Sequence, residues 1–120
     1  MAKKLLVADD NATVRRALVK LFEVEQGYEV CAEARDGTEA IALAIKHSPD
    51  LIILDLSMPG MNGLIAAREL KGIMPTIPII LFTLHADSAL QMTNLHVDRI
   101  VSKNDVLSLI GYVRLLVPAW

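Results

Sequence analysis

The fold is indicated most clearly by one short stretch, Leu51-Ile52-Ile53-Leu54-Asp55, in which four apolar residues precede a carboxylate. A strand with one face in water alternates apolar and polar residues, whereas this run is apolar at every position. Continuous apolar strands are typical of parallel sheets whose two faces are both covered by helices. The stretch therefore predicts an inner strand of an α/β protein, with an acidic residue directly after it.

Four further short apolar runs lie on either side of this stretch and have the length of strands. They are residues 5–8, 30–34, 77–84 (interrupted by Pro78 and Thr83) and 100–101. Between them, apolar residues recur at helical spacing, as in Val14, Ala17, Leu18 and Leu21. This alternation predicts a mostly parallel sheet with right-handed crossovers, built by residues 1–120 as one domain.

Local signals predict where several helices begin and end. Asp36 is a candidate N-cap of the second helix, with Glu39 three residues later. Pro49 ends that helix, because proline restricts the residue before it. Asn104 is the candidate N-cap of the last helix. A short fourth helix is predicted to start at residues 85–88 and to continue through Leu90, Met92 and Leu95.

Composition excludes several classes of function. The chain has 120 residues and is 53% hydrophobic, enough for one sizeable core. Its formal charge of -2 offers no field for nucleic acid or for an anionic membrane. No run approaches the roughly 20 apolar residues that cross a bilayer. The lone Cys31 cannot form an internal disulfide, so we expect a buried thiol in a cytoplasmic protein.

Polar residues follow the apolar runs, where ligands bind in a parallel sheet. Asp9 and Asp10 follow the first run, Asp55 the third, Thr83 the fourth and Lys103 the fifth. An acidic residue at such a position is often only a helix cap, but three carboxylates at one edge would repel one another unless they share a cation. Oxygen ligands favour Mg²⁺, with Mn²⁺ or Ca²⁺ as substitutes, over zinc, and a lysine with a threonine suits a tetrahedral anion. The set predicts phosphoryl transfer.

In their order and spacing, these residues resemble the receiver domain of bacterial two-component response regulators. The resemblance covers essentially the whole chain, and the stretch Asp55-Leu56-Ser57-Met58-Pro59 with its following glycines belongs to it. It implies a flavodoxin-like, doubly wound fold: a five-stranded parallel sheet in the order 2-1-3-4-5, with helices on both faces. It also implies a cytoplasmic signalling protein.

The resemblance implies roles for the residues of the site. Asp55 would be the phosphoacceptor, and Asp10 and Asp55 would ligate Mg²⁺ together with the main-chain carbonyl of Ser57. Asp9 would act largely through metal-bound water. The donor would be a phosphohistidine on a sensor histidine kinase or a phosphotransfer protein. Thr83 and Lys103 would bind the phosphoryl oxygens, and the acyl phosphate would later hydrolyse. The chain would thus be a switch with weak self-phosphorylating and self-dephosphorylating activity, not an enzyme that turns over a metabolite.

Three residues depart from the family's pattern. Ile100 stands where the family usually has Tyr or Phe, so the family's aromatic switch is not transferred to this chain. Leu84 stands where a small residue is usual, which predicts a narrowed access to the site. Asn104 stands where many members have a proline with a cis bond. These departures leave a pseudo-receiver, an interaction module without efficient phosphorylation, as an alternative function.

Two other functions are less consistent with the residues. An aspartyl phosphohydrolase needs a second acidic group, usually two residues after the nucleophile, where this chain has Ser57. A flavin-binding module on the same kind of sheet needs a phosphate loop after the first strand, where Asp9 and Asp10 would repel an anion.

The last segment, residues 106–120, is apolar on more than one face. Its surplus residues are Leu107, Leu115, Leu116 and Trp120. Such a surplus predicts a partner surface, either of a homodimer through the last helix or of an output domain.

Overall fold

The predicted strands form one parallel sheet in a computed structural model that describes residues 1–92 and 96–119. The elements are β1 (Lys3–Ala8), α1 (Ala12–Val24), β2 (Tyr28–Ala34), α2 (Gly37–His47), β3 (Leu51–Leu54), α3 (Gly63–Ile73), β4 (Ile79–Thr83), α4 (Ala86–Leu90), β5 (Arg99–Ser102) and α5 (Val106–Leu116). The strand order is β2-β1-β3-β4-β5, and all neighbouring strands are parallel. The predicted fold class and strand order are confirmed.

The sheet has a hydrophobic core on each face. In β3, Ile52 and Leu54 contribute to the core shared with α2, α3 and α4, whereas Leu51 and Ile53 contribute to the core shared with α1 and α5. All four side chains are at most 1% exposed. Burial of each contributes roughly 1.5–3 kcal/mol relative to exposure. The uninterrupted apolar run that predicted an inner strand therefore reflects two covered faces.

The predicted ends of α2 are confirmed. Asp36 is the N-cap, and its side chain accepts a hydrogen bond of 2.8 Å from the backbone N–H of Glu39. The Glu39 carboxylate accepts from the backbone N–H of Arg35 at 3.1 Å, one residue before the cap. At the other end, Ser48 adopts a left-handed conformation with φ 47° directly before Pro49. The Asp36 bond satisfies a backbone N–H that the first turn of the helix leaves free.

The predicted cap of the last helix is wrong. Asn104 does not cap α5, because its backbone N–H is held in a turn by the Ser102 hydroxyl at 3.1 Å. The chain enters the helix one residue later, and Asp105 is the N-cap. Its carboxylate accepts bonds from the Ser108 hydroxyl at 2.6 Å and the Ser108 N–H at 3.2 Å. These bonds hold the pKa of Asp105 below its ordinary value.

The fourth helix is shorter than predicted. It begins at Ala86, as expected, but ends at Leu90. The N–H of Gln91 donates to the Ser88 carbonyl, and the N–H of Met92 donates to the Ala89 carbonyl. These bonds between residues three apart tighten the chain out of the α-helical path. Met92 therefore lies outside α4, and Leu95 lies outside the described residues.

Cys31 is half-buried rather than buried, contrary to our expectation. It lies on the edge strand β2, where the register shifts: Leu5 is opposite Val30 and Leu6 is opposite Ala32. Cys31 is therefore the extra residue of a bulge. Burial raises the pKa of its thiol.

The outer face of α5 carries exposed apolar residues, as predicted. Leu107 is 82% exposed and Leu115 is 61% exposed. Leu116 instead packs against the core shared by α1 and α5, so it was wrongly counted among the surplus residues. Trp120 lies outside the described residues. Within 1–92 and 96–119, no helix is long and apolar enough to span a bilayer.

Candidate functional site

Three carboxylates meet at the carboxyl edge of the sheet. Asp9 and Asp10 follow β1, and Asp55 follows β3, which is the neighbour of β1. The Asp55 N–H donates to the Ala8 carbonyl at 2.9 Å, which continues the ladder between the two strands by one residue. Each aspartate offers one oxygen within 4.8 Å of the others. The parallel sheet thus brings together residues that are distant in the sequence.

Lys103 comes to this cluster from the end of β5. Its Nζ lies 2.7 Å from Asp9 Oδ2 and 3.2 Å from Asp55 Oδ2. Its backbone N–H donates to the carbonyl of Thr83 at 3.0 Å, which places Lys103 beside the end of β4. Burial of the ammonium works against its charge, but the carboxylates of Asp9 and Asp55 outweigh it and raise the pKa of Lys103. Lys103 is therefore held as a cation.

Asp9 is the most enclosed of the three carboxylates, with 2% of its surface exposed. Burial raises its pKa, although the bond to Lys103 and the Asn11 N–H, which donates to Asp9 Oδ1 at 2.9 Å, oppose the shift. Asp55 is 5% exposed, and Asp10 is exposed at the rim. Three carboxylates thus face one ammonium, and the site keeps an excess of negative charge.

Thr83 is fully buried at the end of β4. Its Oγ1 accepts a hydrogen bond from the backbone N–H of His85 at 3.1 Å. Since a hydroxyl carries one proton of its own, Thr83 can still donate to a further acceptor. The Thr83 carbonyl accepts a hydrogen bond from the backbone N–H of Lys103. Thr83 itself does not line the cleft that leads to the carboxylates.

A cleft of about 220 Å³ gives access to the carboxylates. It is lined by Asp10, Asn11, Asp55, Ser57, Leu84, His85 and Lys103. His85 lies at the rim of this cleft. Leu84 is 66% exposed there. Ser57 also lines the cleft, and the role of its carbonyl as a metal ligand stays a prediction.

Two residues of the site were missed in the sequence. Asn11 is the N-cap of α1, and its side chain accepts from the N–H groups of Thr13 and Val14 at 2.9 and 3.2 Å. An asparagine directly before a helical pattern is a signal that could have found it. Arg15 donates from Nη1 to the Asp9 carbonyl at 2.6 Å. No signal in the sequence indicates that contact.

Comparison with known proteins agrees with this architecture. Residues 5–112 match the family model of the response regulator receiver domain. The chain is 41% identical over 92 residues to a protein-glutamate methylesterase/protein-glutamine glutaminase of Caldanaerobacter subterraneus, a match that covers 75% of this chain and 25% of that protein. It is 41% identical over 83 residues to the transcriptional regulatory protein PdtaR of Mycobacterium tuberculosis, a match that covers 68% of this chain and 40% of that protein. The chain thus spans between a quarter and two-fifths of these relatives.

Solved structures show the same fold. The response regulator TrrA of Thermotoga maritima, solved in complex with Mg²⁺ and BeF, superposes with a TM-score of 0.87 at 32% identity, covering 96% of this chain and 99% of that one. The receiver domain of AraT from Geobacillus stearothermophilus gives a TM-score of 0.82 at 32% identity, covering 96% and 95%. By sequence, by fold and by the placement of its acidic cluster, this chain belongs to the receiver domains of two-component response regulators, a family that signals through phosphorylation.

Proposed function

We propose that this chain is a phosphorylation-controlled switch in which Asp55 accepts a phosphoryl group. One observation carries the proposal: the Asp55 carboxylate opens onto the cleft with Lys103 Nζ 3.2 Å from one oxygen and two further carboxylates within 4.8 Å. A buried structural carboxylate would be neutralised by its partners. Here Lys103 is shared between Asp9 and Asp55, so the negative charge of the cluster is not fully balanced. Such a cluster suits a reaction in which a metal cation and a phosphoryl anion bind together.

The residues present fit a magnesium ion. Asp10 and Asp55 offer hard oxygen ligands on a cleft, the excess negative charge requires a cation, and no cysteine or histidine ligand competes among the grouped residues. Asp10, Asp55 and the Ser57 carbonyl would hold the ion, with Asp9 acting through its bound water. When bound, Mg²⁺ would offset negative charge on phosphoryl oxygens.

The chemistry of the protein's own groups follows from their positions. An Asp55 oxygen attacks the phosphorus of a phosphohistidine, so that a P–O bond forms while the P–N bond breaks and the electron pair stays on the imidazole nitrogen. The Lys103 ammonium offsets charge on the transferred group, and the Thr83 hydroxyl, which keeps its proton, donates a hydrogen bond to a phosphoryl oxygen. Attack of water on the phosphorus later releases phosphate and restores Asp55. Lys103 then pairs again with Asp9 and Asp55.

The donor would be a sensor histidine kinase or a phosphotransfer protein, and the phosphorylated state would act on an output domain or a partner. The chain would thus be a cytoplasmic switch with weak self-phosphorylation and self-dephosphorylation rather than a metabolic enzyme. The exposed Leu107 and Leu115 on α5 support a homodimer through the last helix. Nothing in the balanced charge suggests direct contact with nucleic acid or membrane.

The test is phosphorylation of the purified chain by acetyl phosphate, with and without Mg²⁺, read by intact mass. We expect one added phosphoryl group that requires both Mg²⁺ and Asp55, so Asp55→Asn is not labelled. Asp87→Asn is the matched control, because Asp87 is an exposed aspartate on α4 that does not line the cleft, and it should be labelled like the parent. A folded parent that neither gains the group nor binds Mg²⁺ would favour the pseudo-receiver instead.

A further inference from the structure

Arg15 reaches from the first turn of α1 back to the acidic site. Its Nη1 donates to the main-chain carbonyl of Asp9 at 2.6 Å. The side chain is only 13% exposed, and its Nε lies 3.5 Å from the Glu33 carboxylate on β2. The neighbouring Arg16, on the same helix, is exposed. An arginine that only kept α1 solvated would be exposed to solvent, as Arg16 is. The low exposure of the Arg15 side chain therefore requires another explanation.

The Arg15 bond completes a clamp around one residue. Asp9 is held at four points: its N–H by the Ala34 carbonyl (3.0 Å), its carbonyl by Arg15, its Oδ1 by the Asn11 N–H (2.9 Å) and its Oδ2 by Lys103 (2.7 Å). Of these contacts, only the Arg15 bond holds the carbonyl. That carbonyl belongs to the planar peptide that joins Asp9 to Asp10. The plane of this peptide contains the Cα of Asp10, so its orientation fixes the point from which the Asp10 side chain leaves the backbone.

From this geometry we propose that Arg15 is a positioning residue for the Asp9–Asp10 half of the metal site. The inference rests on the proposed function, since it assigns to Arg15 the task of orienting Asp10, a proposed ligand of Mg²⁺. Asp10 is exposed at the rim of the cleft, so burial does little to orient its side chain. The peptide that precedes it, held by Arg15, is the part of the structure that restricts where this side chain starts. Outer residues that orient metal ligands typically change metal affinity 10–100-fold when they are lost.

The Nε of Arg15 is buried and has no hydrogen-bond partner within the part of the chain that the structure describes. The functional contact is therefore the one from Nη1 to Asp9. A lysine at this position keeps the charge and one donor for the carbonyl, and it gives up the Nε that lies 3.5 Å from the Glu33 carboxylate without a hydrogen bond. This distinction makes Arg15→Lys an informative partial rescue.

The test uses the whole chain with Arg15→Ala, Arg15→Lys and the matched control Arg16→Ala. Mg²⁺ affinity is measured by calorimetry, and the backbone amide signals of residues 10 and 11 are followed by NMR in metal-free protein. We expect Arg15→Ala to weaken Mg²⁺ binding about ten-fold or more and to shift these amide signals before any metal is added. Arg15→Lys should recover part of the loss, and Arg16→Ala should match the parent.

The outcomes distinguish an arginine that positions Asp10 from one that is merely structural, and both from failure of the proposed function. Unchanged Mg²⁺ affinity in folded Arg15→Ala, even with lowered stability, would show a merely structural arginine and overturn this inference alone. If Arg15→Ala does not fold, Arg15→Met decides, because it keeps an apolar stem but has no donor for the Asp9 carbonyl. An affinity equal to that of the parent together with unmoved amide signals overturns the inference, and a weaker affinity supports it. A parent chain that neither binds Mg²⁺ nor accepts a phosphoryl group would overturn the proposed function, and this inference with it.

Discussion

Gly63 lies directly against the backbone of Asp55: a Cβ built on Gly63 would be 2.1 Å from the Asp55 carbonyl oxygen. The N–H of Gly63 also donates to the carbonyl of Leu56 at 2.9 Å. The first residue of α3 therefore lies against the main chain of Asp55, the proposed phosphoacceptor. Any side chain at position 63 has to displace this main chain, because backbone atoms cannot rotate aside as a flexible side chain can.

We predict that Gly63→Ala lowers the free energy of unfolding by about 1–3 kcal/mol, the usual cost of overpacking, and slows labelling by acetyl phosphate. Gly72→Ala is the matched control in the same helix, where a Cβ would meet nothing within 4 Å. It should raise stability by roughly 0.5–1 kcal/mol, because alanine is the better helix former, and leave labelling unchanged. Urea unfolding and intact mass measure both effects. Equal behaviour of the two variants would contradict the contact.

The raised pKa of Asp9 predicts a pH dependence of stability in metal-free protein. Burial raises this pKa above its ordinary value of 3.8, so the folded chain binds the proton more tightly than the unfolded chain. The stability associated with that proton is present at acidic pH and is lost as pH rises through the raised pKa.

Asp9→Asn removes the titrating carboxyl, and with it this loss of folding stability at higher pH. The variant keeps an oxygen that can accept from the Asn11 N–H. In a chelating buffer we expect the variant to be more stable than the parent at neutral pH, with a difference that shrinks towards acid. Urea unfolding across this pH range measures it, with the exposed Asp87→Asn as a flat control. A less stable Asp9→Asn at neutral pH would show that the Lys103 pairing outweighs burial.

The position of Leu84 at the opening of the cleft predicts that its side chain limits access to Asp55. It lines the opening beside Asp55 and is 66% exposed, so its truncation removes little buried surface. We expect Leu84→Ala to be labelled by acetyl phosphate several-fold faster, with stability nearly unchanged. Leu90→Ala, at 65% exposure on α4, is the control for loss of an exposed leucine and should keep the parental rate. A Leu84→Ala variant no faster than the parent would remove this explanation.

The exposed apolar face of α5 predicts self-association. Leu107 and Leu115 are 82% and 61% exposed on this helix. We expect sedimentation velocity at micromolar concentrations to show a dimer that Leu107→Lys and Leu115→Lys dissociate, because a charge at a helix contact must be desolvated. Ile45→Lys changes a 57% exposed isoleucine on α2 and should leave the dimer intact. A parent that stays monomeric throughout would exclude this interface at those concentrations.

Much of the architecture could be predicted from the sequence because its determinants are local. The apolar run at residues 51–54 requires a strand with both faces covered, and the Asp36 cap uses a residue only three positions away. The wrong prediction at the start of α5 shows where local signals are not sufficient. Asn104 and Asp105 are both good capping residues, and only the turn through Ser102 decides that Asp105 begins α5.

The pattern of residues along the chain was enough to predict the parallel sheet and the set of residues at its carboxyl edge: Asp9, Asp10, Asp55, Thr83 and Lys103. This was possible because parallel strands bring all of their carboxyl ends to one side. Three contacts became visible only in the folded chain: Lys103 is closer to Asp9 than to Asp55, Gly63 lies against the Asp55 backbone, and Arg15 donates to the Asp9 carbonyl. Those contacts depend on the distances between packed elements, which no periodicity along the chain encodes.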